Sequence, residues 1–476
     1  MTKDNITVLG GGPGGYVAAI RAAKHGKKVT LIEADKIGGT CLNRGCIPSK
    51  IMKNTAELIL KMKKAEEFGI VVPENITVDL NNLMLRKQKV IQNQAKGIHV
   101  LLAKQGIRYI NGTGKISAIG CMEVLLQEGK TEKIQWDSLI IATGARPRDL
   151  ASVPFDGKQV YSSDDIFDIT QIPESITILG GGVIGCEFAF IFSALGSRVT
   201  LIEAASCLIP LPFMDEECSS ILLREMKKMK IQVYLEKSIT GCRSSGNRLD
   251  VTIGPSPFLT QTEKSDEQKL TTDAMLVCIG RIPNSHGIGL ENAGVKTDEH
   301  GWIRVNDKME TNIPCIYAIG DVLGPSRIML AHSASFEGMV AADNIAGHDR
   351  TMRYDILPNA VYTIPEIASV GHTEKSAATL SRNIQTHTVL FRHIGKAHVI
   401  NEISGQAKII SDSDTGKILG VHIIGPNATD LIAEATLSIQ KNCTVKELAD
   451  TIHAHPTLSE IMMETALKAS GNPIHG

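Results

Sequence analysis

ITVLGGGPGGYVAAIRAAKHGKKVTLIEA, residues 6–34, and ITILGGGVIGCEFAFIFSALGSRVTLIEA, residues 176–204, align without a gap. Each reads as a short apolar strand, a glycine turn and a helix with an Ala-rich or Phe-rich apolar face. A glycine (Gly26, Gly196) and a second strand ending in an acid follow. That pattern is a βαβ unit, present twice. In the first copy Gly10, Gly12 and Gly15 form GxGxxG between strand and helix, and Glu33 closes the second strand; in the second copy Gly180, Gly182, Gly185 and Glu203 take the same places. Such glycines let the backbone approach a pyrophosphate at a helix N-terminus, and the acid can accept from a ribose hydroxyl. The glycine pattern alone is a weak signal, but here strand, helix and acid are all in place. Two units predict two bound dinucleotides and an α/β fold with two Rossmann-like domains.

Soon after Glu33 comes GGTCLNRGCIPSK, residues 38–50, with Cys41 and Cys46. This spacing does not suit structural zinc, which takes short CxxC knuckles in two sets. Residues five apart on a regular helix have Cα atoms about 8–9 Å apart, beyond the roughly 4.4–6.8 Å a disulfide spans. If the two are bonded, Asn43-Arg44-Gly45 must leave helical geometry, which Gly45 makes cheap. Two inert cysteines at chance spacing remain the alternative at this point. A dithiol that exchanges electrons with a nicotinamide needs a flavin between them, because hydride carries an electron pair to one carbon while disulfides react through thiolates. The first unit runs into the cysteines and is expected to hold FAD; the second is expected to hold the nicotinamide. Glu203 would repel a 2′-phosphate, and the following AASCLIP offers no arginine to bind one, so NAD is favoured over NADP.

At 476 residues the chain is too long for one core and divides into about three or four domains. Lys and Arg total 50 against 51 Asp and Glu, a net charge of −1, so neither nucleic acid nor an anionic membrane is the expected partner. Ten cysteines, eight of them scattered singly, do not resemble a secreted disulfide framework. No apolar run of about 18 residues occurs and nothing signal-like precedes the first strand, so a cytoplasmic protein is expected. The expected division is 1–148 for FAD and the cysteine pair, 149–274 for NAD, 275–348 for a central domain completing the FAD site, and 349–476 for an α+β dimerisation domain. A polar hairpin loop is expected around residues 260–269.

GGGPGG, GGTCLNRGCIPSK, ATGARP, GGGVIGCE, CIGRIPN, YAIGD, MLAH, YTIPEIASVG and HAHPTLSE occur in this order. With them the whole chain resembles the flavin disulfide oxidoreductases of the pyridine nucleotide class, and within them the branch that oxidises dihydrolipoamide with NAD+. The resemblance implies that Cys41 attacks the substrate disulfide while Cys46 faces the flavin as a thiolate in a charge-transfer contact. A helix N-terminus near both would lower thiol pKa. It implies that Lys50 lies beside the flavin and pairs with Glu187. It places further FAD contacts on Gly114, on Ala142, Thr143 and Gly144, on Asp321, and on Met329, Leu330, Ala331 and His332; NAD contacts fall on Gly280 and Ile239. No metal site is expected. Arg44 occupies a variable position of the motif, where a guanidinium could tune either thiolate.

Thiol–disulfide exchange also needs a base near neutral pH, for which imidazole is suited. HAHPTLSE offers His453 and His455. Position favours His455, held extended before Pro456, with Glu460 placed to accept from it and fix its tautomer; His453 reads as a packed or surface histidine. The resemblance adds that His455 and Glu460 serve the partner's active site in a homodimer, that the peptide before Pro456 is cis, and that the lipoyl group is presented by the acyltransferase core of a 2-oxoacid dehydrogenase complex or by a glycine-cleavage carrier. A mercuric reductase would carry a terminal cysteine pair, where this chain ends KASGNPIHG; glutathione-type reductases favour basic residues where Glu203 stands. A non-catalytic flavin-bound scaffold would have no physical need for the complete Cys, His and Glu set.

Overall fold

A computed structural model of the chain describes residues 4–73, 75–259, 267–380 and 383–476. Both repeats fold as expected. The strands Asn5–Leu9 and Lys28–Glu33 flank the helix Pro13–Lys24, and Ser175–Leu179 and Arg198–Ile202 flank Val183–Ala194, each pair parallel. Around the first unit a seven-stranded sheet runs Ile316–Ala318, Ser138–Ile141, Asn5–Leu9, Lys28–Glu33, Arg108–Ala118, Cys121–Leu126, Thr131–Gln135; its first five strands are parallel and the last two form an antiparallel meander. Around the second unit a five-stranded parallel sheet runs Gln232–Tyr234, Arg198–Ile202, Ser175–Leu179, Ala274–Val277, Val160–Ser162.

The second unit is therefore inserted into the first, since the strand Ile316–Ala318 returns to complete the first sheet. The helix Ala331–Ile345 returns with it and packs on Pro13–Lys24 so closely that a Cβ at Gly14 would stand 2.9 Å from the Ala334 carbonyl oxygen. Arg21 of one helix and Asp343 of the other form an ion pair at 2.5 Å, joined by His25 and Arg350 at 2.7 Å each. The boundary expected after residue 274 falls inside the strand Ala274–Val277. Its residues are buried between the strands Ser175–Leu179 and Val160–Ser162 of the second sheet, so that unit extends to Val277.

A separate antiparallel sheet, ordered Asn359–Val361, Glu366–Gly371, Ile418–Gly425, Gln406–Asp412, Ile384–Leu390, carries the helices Ala428–Gln440 and Glu460–Ala469. The antiparallel strands Arg248–Pro255 and Gln268–Thr272 flank the polar stretch expected as a hairpin loop, of which residues 260–266 lie outside the described residues. Among the described residues no helix is long and apolar enough to cross a membrane, and no cluster of side chains could hold a metal ion.

One apolar cluster decides where the site lies. Ile51, Met52 and Ile59 of the helix Cys46–Lys63 pack with Phe188 and Phe192 of the second unit's helix and with Val361, Ile367 and Ile424 of the third sheet. Phe188, Phe190 and Phe192 are fully buried, and each such burial contributes about 1.5–3 kcal/mol. The helix that begins at Cys46 is thereby held against both the second unit and the third sheet.

Candidate functional site

The two glycine turns are built alike. In each, a Cβ on the third glycine, Gly15 or Gly185, would collide with the carbonyl oxygen of the first, Gly10 or Gly180, so the helix starts tight against the strand. The Gly11 amide donates to Glu33 Oε2 at 2.6 Å and the Asp35 amide to its Oε1 at 2.8 Å; Gly181 and Ala205 bind Glu203 in the same way at 2.5 and 2.7 Å. Each acid thus braces its own glycine turn, with lone pairs left for a ribose hydroxyl. Burial pushes the Glu33 carboxyl up, against the amides that stabilise its charge.

The redox motif folds as two helices, Gly39–Arg44 and Cys46–Lys63, broken at Gly45. A Cβ at Gly45 would stand 2.9 Å from the Thr40 carbonyl oxygen, so the break that brings Cys41 back over Cys46 has room only for glycine. Both cysteines are thiols in this structure. The Cys41 thiol donates to Cys46, which lowers Cys46 to about 7 against the effect of burial, with the Lys50 ammonium lowering it further. Cys41 moves strongly the other way, through that same hydrogen bond and burial. Cys46 is the first residue of its helix, whereas Cys41 lies inside the short preceding helix; the lowering of Cys46 comes from the neighbouring Cys41 thiol and from Lys50.

Lys50 Nζ lies 2.8 and 3.1 Å from the two carboxylate oxygens of Glu187. Arg44 pairs with carboxylates outside the dithiol. Its guanidinium is committed to Asp35 and, at 4.0 Å, to Asp164, and the charged groups acting on the cysteines are Lys50, Glu187 and Asp321.

The remaining expected cofactor residues gather at strand ends. Ala142 donates to the Leu9 carbonyl at 2.7 Å and the Thr143 carbonyl accepts from Asn284 at 3.0 Å, while Thr143 Oγ1 is buried without a partner. Side chains at Gly144, Gly182 and Gly280 would project into open space. Asp321 begins a turn beside Arg281 Nε at 3.8 Å, and burial pushes its carboxyl up. Met329 and Leu330 lead into the helix that Ala331 and His332 open, with His332 Nε2 2.7 Å from the Pro358 carbonyl. Gly114 and Ile239 are closely packed against neighbouring side chains. A side chain at Gly114 would strike Leu9 and Met122, and Ile239 is buried with Leu179, Ile202 and Ile253.

The helices starting at Pro13, Cys46, Val183 and Ala331 are among those with no side-chain N-cap. Each leaves main-chain N–H groups and positive dipole ends free for an anionic or electron-rich ligand. These free helix ends, the orphaned Thr143 hydroxyl and the side-chain-free cradle at Gly12 and Gly182 fit two dinucleotides.

His455 and Glu460 meet as expected: His455 Nδ1 lies 2.8 Å from Glu460 Oε1, and the Thr457 amide donates to Glu460 Oε2 at 2.9 Å. Burial alone would raise the Glu460 carboxyl, but these bonds overcome it and hold it low. The His455–Pro456 peptide is cis. The His455 side chain is 76% exposed, and among the described residues no hydrogen bond or ion pair joins it to either cysteine. His453, in contrast, is packed, held by Glu434 at 2.9 Å and the Thr451 carbonyl at 2.9 Å. Tyr362 escaped the sequence reading. Its amide donates to Glu187 Oε1 at 3.0 Å and its ring centroid lies 4.3 Å from Lys50 Nζ.

A dithiol at an uncapped helix start, between two dinucleotide-type turns, defines a flavin-linked disulfide oxidoreductase, and the chain belongs to the pyridine nucleotide-disulphide oxidoreductase family. Residues 4–338 match that family and residues 357–466 match its dimerisation domain. The family uses FAD and NAD(H). The chain is 39% identical to the dihydrolipoyl dehydrogenase of Chlamydia pneumoniae, over 100% of this chain and 99% of that protein. It is 40% identical to one from Bacillus subtilis, with the same coverage of each. Among solved structures it matches LpdA from Mycobacterium tuberculosis with a TM-score of 0.90 at 27% identity, over 98% of this chain and 99% of that one. The HOCl-induced flavoprotein disulfide reductase RclA from Escherichia coli matches with a TM-score of 0.84 at 26% identity, over 98% and 99%.

Proposed function

We infer that the chain is an NAD-dependent oxidoreductase that converts dihydrolipoamide to lipoamide through the Cys41–Cys46 pair. The observation that carries this reading is geometric: Cys46 opens an uncapped helix one turn before Lys50, whose ammonium is held by Glu187 at 2.8 Å, and the break at Gly45 folds Cys41 back beside it. In the oxidised enzyme one lipoyl thiolate attacks Cys41 Sγ, the Cys41–Cys46 bond breaks, and its electron pair leaves on Cys46, the position built to carry negative charge. The partner subunit's His455, oriented by Glu460, takes the proton of the second lipoyl thiol, which attacks the sulfur bonded to Cys41. Lipoamide leaves with its disulfide closed, and Cys41 leaves as a thiolate that takes a proton. Bound FAD supplies the route by which the electron pair passes from the dithiol to NAD+. Lys50, fixed by Glu187, balances charge beside Cys46.

Two observations support the cross-subunit assignment: the exposure of the His455 side chain and the match of the region around it to a dimerisation domain. A homodimer follows from it, with FAD held by the sheet around residues 6–34 and the returning segment, and NAD by the sheet around residues 176–204. The lipoyl group would be carried by a protein such as the acyltransferase core of a 2-oxoacid dehydrogenase complex. Ten cysteines, eight of them scattered singly, do not resemble a secreted disulfide framework and suit a reducing, cytoplasmic setting. The test is reduction of NAD+ by dihydrolipoamide with the FAD-loaded dimer. Cys41→Ser and Cys46→Ser should each abolish it, and turnover by either variant at the parent rate would overturn the reading.

A further inference from the structure

The segment between the strands Asn359–Val361 and Glu366–Gly371 touches the redox helix at two lysines one turn apart. Lys50 Nζ lies 4.3 Å from the Tyr362 ring centroid and Lys53 Nζ lies 6.0 Å from it, so one aromatic ring is shared by two ammonium groups. Each lysine has its own carboxylate. Lys50 is held by Glu187, and Lys53 by Glu366 at 2.7 Å and Glu57 at 2.7 Å. Glu366 is fixed in turn through Oε2, which accepts from the Thr429 amide at 3.1 Å and its hydroxyl at 2.7 Å at the start of the helix Ala428–Gln440.

Tyr362 acts on Lys50 from two sides. Its amide donates to Glu187 Oε1, which leaves Oε2 as the nearer partner of the ammonium at 2.8 Å, and its ring covers another face of that ammonium. A lysine side chain has four rotatable bonds and a compact, strongly hydrated charge, so a single carboxylate fixes it poorly. A carboxylate pinned by a main-chain amide, together with a π face, fixes it well.

We propose that Tyr362 is a positioning residue that, with Glu366 anchoring Lys53 beside it, clamps the Lys50 ammonium next to Cys46 and so sets how readily Cys46 carries negative charge. The clamp belongs to the sheet that also carries His455, so docking of that sheet and the readiness of the dithiol are linked through one ring. This deepens the dithiol reading above. Its test nevertheless needs no lipoyl substrate, so its failure is separable from failure of the turnover assay.

The experiment uses the FAD-loaded dimer, reduced without oxygen, and follows alkylation of Cys46 by iodoacetamide with peptide mass spectrometry across about pH 5 to 9, where a thiolate near neutral titrates. Tyr362→Phe keeps the ring and should keep the parent profile. Tyr362→Leu should shift the profile to higher pH, slowing alkylation near pH 7 by about three- to tenfold, as loss of a desolvated cation–π contact allows. Stepwise fluorination of a phenylalanine placed at 362 removes the negative face of the ring but keeps its shape, and should slow alkylation in graded steps even if the leucine variant does not fold. A parent-like profile in the fluorinated series, or an equal shift in Tyr362→Phe, would overturn the proposal.

Discussion

The Gly181 amide donates to Glu203 Oε2 at 2.5 Å, the bond that joins Gly11 to Glu33 at 2.6 Å in the first unit. The repeat therefore reproduces a hydrogen bond as well as a sequence. In both copies the acid is the brace of the glycine turn, and in the proposed function it is also the group that binds a ribose. Glu203→Gln keeps the size but loses the charge that disfavours a 2′-phosphate. The KM for NAD+ should rise about tenfold, the loss of one charge-assisted hydrogen bond, while the preference for NAD+ over NADP+ falls. Steady-state kinetics with both nucleotides check this; an unchanged preference would place discrimination elsewhere.

Lys50→Met removes the cation that lowers Cys46 and leaves Glu187, 7% exposed, without its partner. The Cys46 thiolate should then form only above its present value of about 7. Breaking a buried pair from one side costs about 3 kcal/mol or more, so the apparent urea midpoint should fall as well. The double variant Lys50→Met, Glu187→Met should recover most of the midpoint but none of the thiolate shift.

Asp343 governs acid stability at the contact between the helices Pro13–Lys24 and Ala331–Ile345. Burial alone would raise its carboxyl, but hydrogen bonds from Arg21, His25 and Arg350 overcome burial and hold it well below the usual carboxylate range. A depressed folded-state value means that its stabilisation is complete above the unfolded value of about 3.9 and fades as pH falls below it. Asp343→Asn should lower the thermal midpoint near neutral pH, with a cost of about 1–3 kcal/mol. The gap from the parent should narrow as the pH drops below about 4, which melting curves across that range measure.

His455→Gln should lower kcat by about 10²- to 10⁴-fold, the span of general base catalysis, and Glu460→Gln by less. Because the base serves the opposite subunit in this account, mixing the His455→Gln chain with a Cys41→Ser chain should restore activity. The mixed dimer contains one site with both an intact dithiol and an intact base. Hybrids as inactive as their parents would show the base acting within its own chain.

The glycine turns and their acids were legible because close backbone approach leaves little choice of residue at Gly15 and Gly185. The break at Gly45 was legible from the conflict between helical spacing and sulfur reach. Other features depend on contacts between segments far apart in sequence. Ile239 looks like any strand residue until its buried neighbours are seen, and the interior strand Ala274–Val277 gives no sign of which sheet it joins. Tyr362 was hidden because its partners Lys50 and Glu187 lie on helices of two other units. The role of Arg44 stayed open in the sequence because a motif shows only its neighbours in sequence and conceals its partners Asp35 and Asp164.

The most direct test of the central claim is anaerobic titration of the FAD-loaded dimer with dihydrolipoamide, monitored by absorbance and followed by addition of NAD+. The expected result is a long-wavelength thiolate-to-flavin band, then NADH in proportion to the band lost. Flavin bleaching without that band would contradict the role assigned to Cys46, and no spectral change at all would contradict the substrate.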